Sequence, residues 1–281
     1  MASINNNEDK IHLFKLNNII SGTVIKRPSS KCKSPYVADV LIENENDEIV
    51  AHAPSLGCCG YVNKDQKVLM IPHDNPKICT HVIYLANRLE KNENYLIGVH
   101  PKSAEKIVKI CLQKGCIPSL QNVTNIQQEK KYLNSRFDFV CKDKDDIETI
   151  IEVKSVPCGD YVDDYDKNKK KMNFENNIWN TKIAYFPDGY RKKQTDPVSP
   201  RAIKHIQELH QLKTQEQEIR TIIIFVVQRT DCLYFQGSNV DPIYKEALNS
   251  AYDNGVEVIP IHIEWDFEGN CYFNKILDFI K

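Results

Sequence analysis

Three features of this sequence predict an α/β protein in two parts, a small β-barrel followed by a domain built on a central mixed sheet. Between residues 11 and 71 short β-favouring runs alternate with Gly and Pro, the pattern of a small barrel. Beyond residue 95 strand-like and helix-like patterns alternate, which argues for helices packed on a sheet. At 281 residues the chain is also longer than a single hydrophobic core usually spans, so two domains are expected.

The N-terminal runs are Ile19–Ile25, Tyr36–Ile42, Glu48–His52 and Lys67–Ile71, punctuated by Gly22, Pro28, Pro35, Gly57 and Gly60. They predict an OB-like domain over 11–85, behind a polar, Asn-rich and disordered tail at 1–10. The remainder, 86–281, forms the second domain. Val82–Leu89 leads to a strand at Tyr95–Val99, and a helix capped by Ser103 runs to Lys114, with Gly115 as its left-handed stop. From Gly159 to about Thr181 four aspartates precede a lysine run, which reads as a mobile, solvated insertion. Ser199-Pro200 opens a helix whose buried stripe is Ile203, Ile206, Leu209 and Leu212. Thr221–Gln228 is apolar and β-branched, as a buried central strand requires. Asp241-Pro242 starts a last helix, Gly255 ends it, and Val256–Glu264 supplies another strand.

Chemistry concentrates in Ser135-Arg136-Phe137-Asp138-Phe139-Val140 and, after an acidic turn, Ile150-Ile151-Glu152-Val153-Lys154-Ser155-Val156. Strand alternation puts Arg136 and Asp138 on one face and Phe137 and Phe139 on the other. It likewise groups Glu152 with Lys154 and turns Ile151 and Val153 away. Two strands joined by Lys142–Asp146 would then present Asp138, Glu152 and Lys154 together. Such a surface suits Mg2+ or Mn2+, which takes oxygen ligands, often one or two carboxylates plus substrate phosphate. The lysine would orient the attacking water or stabilise developing charge. This spacing resembles the PD-(D/E)XK, or restriction-endonuclease-like, pattern, with Asp138 and Glu152 as metal ligands and Lys154 as the third catalytic residue. The helix ahead of the first strand offers Glu105 as an additional acid.

Several further segments, in order, resemble one family. They are Phe186-Pro187-Asp188, Lys204-His205-Ile206 with Glu208-Leu209, Phe225-Val226-Val227-Gln228-Arg229 with Asp231, Asp241-Pro242-x-Tyr244, and Gly255-Val256-Glu257-Val258. With the two strands above they resemble the sugar fermentation stimulation protein A (SfsA) family from His52 onward. The resemblance implies an OB-like domain ahead of a PD-(D/E)XK domain, DNA binding as the general property, and Asp188, Gln228 and Arg229 near the acidic site. In bacterial relatives it implies regulation of sugar metabolism. The usual His-Cys-Pro-Asn-Thr-Gly motif reads here as His52-Ala53-Pro54-Ser55-Leu56-Gly57.

Composition narrows the classes. Hydrophobic residues at 41% and charged residues at 27% describe an ordinary soluble protein, and a net charge of −1 argues against one that coats DNA through a global field. Contacts to DNA, or to RNA, would come from local groups: Lys26 and Arg27 in the N-terminal part, Arg136, and Arg201 and Lys204 on the exposed helix face. No apolar run is long enough to span a membrane, and the N-terminus lacks a signal-peptide core, so an intracellular protein, cytoplasmic or nuclear, is expected. The ten cysteines show no paired CxxC spacing and are expected to be reduced thiols; a zinc site would have to be assembled from cysteines and histidines distant in sequence. Three functions fit: a metal-dependent nuclease, a non-catalytic DNA-binding regulator, and a binder of a small phosphorylated ligand.

Overall fold

The computed structural model describes residues 10–45, 47–55, 57–169, 171–172, 181–189, 193, 195–216 and 218–281. Most of the N-terminal tail, residues 170 and 173–180 of the polar insertion, and Arg191 and Lys192 lie outside the described residues. The strands and helices in order are β1 (Ile11–Lys15), β2 (Ile20–Lys26), β3 (Val37–Ile42), β4 (Glu48–His52), β5 (Lys67–Pro72), β6 (His81–Glu90), β7 (Glu93–Gly98) and α1 (Pro101–Lys114). There follow β8 (Thr124–Tyr132), β9 (Ser135–Lys142), β10 (Glu148–Val156), β11 (Gly159–Asp160), α2 (Asp166–Lys169), β12 (Lys182–Phe186) and α3 (Pro200–Gln215). The chain ends with β13 (Arg220–Val227), β14 (Cys232–Gly237), α4 (Pro242–Asp253), β15 (Glu257–Trp265), β16 (Asn270–Ile276) and β17 (Asp278–Ile280).

The N-terminal strands close on themselves, as expected of an OB-like unit. β2 pairs with β3, β3 with β4, β4 runs parallel to β6, and β6 returns through β5 to β2. Alternation sends Val24, Ala38, Val40, Ala51, Val68, Met70 and Ile83 inward to form the ring's own core. The first strand departs from expectation. Ile11–Lys15 does not begin the ring but pairs antiparallel with β16, because Leu13 is buried against the large sheet and Phe14 packs edge-on to Trp265 at 5.6 Å. The expected division after residue 85 falls inside β6, a single ten-residue strand.

The large sheet has the order β1-β16-β15-β13-β10-β9-β8, with β15, β13 and β10 parallel and the flanking strands antiparallel. β13 is buried from Thr221 to Val227, which explains its unbroken run of β-branched and aromatic residues. Helix α1 packs on one side of this sheet, while α3 and α4 pack on the other beside a small sheet of β11, β12, β14 and β17. Helix ends follow local chemistry. Ser199 accepts the Ala202 N–H at 3.2 Å, and Asp241 accepts that of Tyr244 at 3.2 Å. Helix α1 starts three residues earlier than the Ser103 cap suggests: Pro101 fits the first turn, where no N–H partner is needed, and Ser103 is buried inside the helix. Gly115 ends it in the left-handed conformation, φ 65°.

The polar segment after β10 is partly ordered by burial rather than solvated. Asp163 is buried and accepts hydrogen bonds from Gln236, Ser238 and the Asn239 backbone at 2.6–3.0 Å. It thereby ties the segment to β14.

The ring and the large sheet meet at Gly98. Its N–H donates to the Gln228 carbonyl at 2.9 Å, and an added Cβ would lie 2.2 Å from Gln228 Oε1 and 2.9 Å from its Cβ. Gln228 cannot yield easily, being buried and hydrogen-bonded to Ser155 at 2.8 Å. Gly98→Ala is therefore expected to cost about 1–3 kcal/mol by overpacking, read as a lower urea midpoint at unchanged slope.

Candidate metal centre

Strands β9 and β10 form an antiparallel pair whose ladder runs from Glu148–Lys142 to Ile151–Phe139 and stops there. One step further, Asp138 faces Glu152, and the side chain replaces the ladder: Asp138 Oδ2 accepts the Val153 N–H at 2.7 Å. Beyond that point β9 is held by β8 alone. There the strict alternation expected of the aromatics fails, with Phe139 packed on the α1 side and Phe137 on the α3 side. Ile151 and Val153 are turned into the α1-side core, which leaves Glu152 and Lys154 on the opposite face, in contact with each other.

Glu152 is the best-held group of the set. It is only 2% exposed, and its Oε1 accepts from both Lys154 Nζ and His205 Nδ1. Burial pushes its carboxyl up, but the His205 hydrogen bond and the Lys154 ammonium outweigh burial and hold it below the ordinary value. An ionised carboxylate can only accept, so the imidazole donates from Nδ1. Glu152 Oε2 is buried and has no hydrogen-bond partner among the described residues. Asp138 goes the other way: burial, then the charge of Glu152, raise it to about 7 against the opposing Val153 N–H and Lys154. Two carboxylates this close in a dry setting do not both ionise readily without a cation between them.

Helix α1 brings a third acid. Glu105 is pushed up by burial first, then by Glu129, with Glu152 contributing and Lys102 and Arg201 opposing. On the far side Tyr244 of α4 is fully buried, its hydroxyl raised by burial and by the charge of Glu152. Its oxygen lacks a partner among the described residues.

The basic residues singled out in the sequence lie in different places. Arg136 is exposed on β9 opposite Lys131, and Arg201 is exposed on α3 near enough to influence Glu105. Lys204 donates to the Asn134 carbonyl at 2.7 Å, bracing α3 against the β8–β9 turn. Lys26 is exposed at the end of β2. Arg27 donates to the Pro35 carbonyl of its own loop at 2.9 Å and to the Ser55 carbonyl beyond β4 at 2.6 Å.

Asp188, Gln228 and Arg229 belong to other contacts. Asp188 accepts from the Cys158 thiol at 3.5 Å, and Gln228 joins Ser155. Buried Arg229 holds Asp231 through two hydrogen bonds of 2.6 and 2.7 Å and reaches the Tyr61 hydroxyl at 2.6 Å. His205 is the residue that sequence reasoning passed over. Its signal was its place on the apolar face of α3, one position before the buried Ile206, where a polar side chain needs a partner.

A mixed sheet carrying an acidic pair and a lysine on adjacent strands, behind a closed OB-like ring, defines a restriction-endonuclease-like α/β protein. A family model described as "Sugar fermentation stimulation protein RE domain" matches residues 102–269. A sugar fermentation stimulation protein homolog of Jannaschia sp. (strain CCS1) is 29% identical over 228 residues, covering 80% of this chain and 81% of the relative. A homolog of the same name from Cyanothece sp. (strain PCC 7425 / ATCC 29141) is 27% identical over 259 residues, covering 90% and 92%. The structure of Pyrococcus furiosus SfsA in complex with Ca2+ superposes with a TM-score of 0.72 at 17% identity, over 96% of this chain and all of that one. The chain belongs to the SfsA family.

The pH behaviour of the metal-free protein follows from Asp138. Its folded-state pKa, about 7, lies above the ordinary 3.8, so between those values the fold keeps a proton that the unfolded chain releases. Metal-free stability is therefore expected to fall as pH rises from about 4 through 7. Asp138→Asn, which retains an acceptor for the Val153 N–H, should flatten that part of the melting profile and raise Tm at pH 8, checked by thermal unfolding in chelator.

Proposed function

We propose that this protein is a divalent-metal-dependent nuclease of the PD-(D/E)XK type with DNA as its substrate. The observation that carries this reading is the buried Glu152 carboxylate facing the half-buried Asp138 on the neighbouring strand, Asp138 raised by desolvation and then by the charge of Glu152, with Lys154 against Glu152. The donor set fits a hard dication. It offers carboxylate oxygens from Asp138 and Glu152, and Glu152 Oε2 is buried without a partner among the described residues. Asp138 and Glu152 would hold Mg2+ or Mn2+, and a bound ion of this kind supplies Lewis-acid polarisation of a phosphodiester oxygen. The Ca2+ of the Pyrococcus furiosus protein is consistent with this, since calcium also takes oxygen ligands.

The protein's own groups have separable tasks. His205 fixes the Glu152 carboxylate by holding one oxygen, which leaves the other for the ion. With an ion sharing the Glu152 charge, the Lys154 ammonium would be available to orient an attacking water or to neutralise developing charge on phosphorus. Glu105 adds negative charge from α1 and strengthens the preference for a dication. Arg136 and Arg201, exposed near this edge, suit the phosphates of a bound strand, a local patch on a nearly neutral chain.

The alternative, a DNA-binding regulator whose acidic pair is structural, draws on one observation. Glu152 is almost completely enclosed, with Lys154 and His205 both on the same oxygen.

Labelled single- and double-stranded DNA, with RNA alongside, incubated with Mg2+ or Mn2+ against chelator separates the two. Metal-dependent cleavage is expected, with a loss on the order of 10²–10³ in rate for Lys154→Ala and at least as much for Glu152→Gln. Cleavage that survives both substitutions, or none by the parent protein, leaves the regulator reading.

A further inference from the structure

A second group of potential ligands lies away from the acidic pair. Cys59 comes from the short helical turn Gly57–Gly60 of the N-terminal ring, Cys158 from the bend between β10 and β11, and Asp188 from the residue after the cis peptide at Phe186-Pro187. One ligand atom from each, two sulfurs and a carboxylate oxygen, lies within 4.8 Å of the others. We propose that these three side chains form a zinc site that fastens the N-terminal ring to the large-sheet domain.

The chemistry points to zinc rather than to the ion of the acidic pair. Thiolates with one carboxylate favour a borderline-soft dication in tetrahedral geometry, whereas Mg2+ and Ca2+ take oxygen ligands alone. Three protein ligands leave one position for water. Binding converts both thiols to thiolates and releases their two protons to solvent. With the carboxylate the assembled site carries one net negative charge, beside the Arg229 guanidinium, whose charge is already shared with Asp231.

The surroundings agree. Cys59 adopts a left-handed backbone, φ 51°, uncommon for a residue with a Cβ and a frequent companion of functional positions. The Cys158 thiol donates to the Asp188 carboxylate at 3.5 Å. Asp188 is exposed and Cys59 half-buried, so the group is open to solvent, and a polar cleft of about 1000 Å³ reaches Cys59. None of the cysteines in the described residues is in a disulfide.

Cobalt titration of chelator-treated, reduced full-length protein tests this directly, because cobalt reports its own ligands. The expected result is a sulfur-to-cobalt charge-transfer band in the near ultraviolet with intense visible bands of a tetrahedral ion, saturating at one equivalent and bleached by zinc. Cys59→Ser, at a half-buried position that does not threaten folding, should abolish the charge-transfer band or reduce it at least tenfold, and Asp188→Asn should weaken cobalt affinity. Glu152→Gln should leave the band unchanged, which separates this site from the proposed nuclease centre. No charge-transfer band in the parent protein, or a band of equal strength and affinity in Cys59→Ser, would overturn the proposal.

Discussion

Setting two carboxylates side by side on one sheet, Glu152 buried and Asp138 half-buried, is the constraint around which this molecule is arranged. Water solvates an isolated carboxylate far better than a protein interior does, so each needs fixed partners or a proton. Glu152 has the partners, a buried imidazole and a lysine two residues along its own strand. Asp138 has one backbone N–H and the influence of Lys154, which desolvation and the charge of Glu152 outweigh, so that its pKa is pushed to about 7. The arrangement is costly for a protein that needs only to fold, and it suits one that binds a cation. The placement of α3 belongs to the same problem, since the face that buries Ile206 and Leu209 also delivers His205 to Glu152.

A second polar cluster, this one fully paired, fixes the ring against the sheet. Arg229 and Lys182 converge on Asp231, and Lys182 also reaches Glu90 of β6 at 2.6 Å. Arg229 further takes the Tyr61 hydroxyl from the ring. Burial alone would raise Asp231, yet the two cations hold it at about 2. Charges that balance in this way orient one unit on the other, and removing a single partner would strand a buried charge. The contrast with the acidic pair is informative: one cluster is closed by the protein's own groups, the other retains a carboxylate oxygen without a partner among the described residues.

Where local chemistry dictates structure, the sequence was readable. The Ser199 and Asp241 caps, the Gly115 stop, the apolar stripe of α3 and the fully buried β13 all follow from residue type and spacing. Period-two alternation brought Glu152 and Lys154 together correctly, but it failed at Phe137 and Phe139, where loss of one neighbouring strand lets β9 depart from it. Contacts between distant segments were not legible. Nothing within Ile11–Lys15 says that its partner is β16, some 260 residues on, and nothing in the Asp-rich stretch marks Asp163 as the buried one. The same limit hid His205, Cys59 and Cys158, whose partners are set by the fold rather than by spacing.

The most direct test of the acidic centre is to locate the ion. Crystals grown with Mn2+ and measured at a wavelength where manganese scatters anomalously should give a peak bridging Asp138 and Glu152, with Lys154 swung off the glutamate. A strong peak elsewhere, with the Glu152–Lys154 pair still closed at saturating Mn2+, would contradict the account.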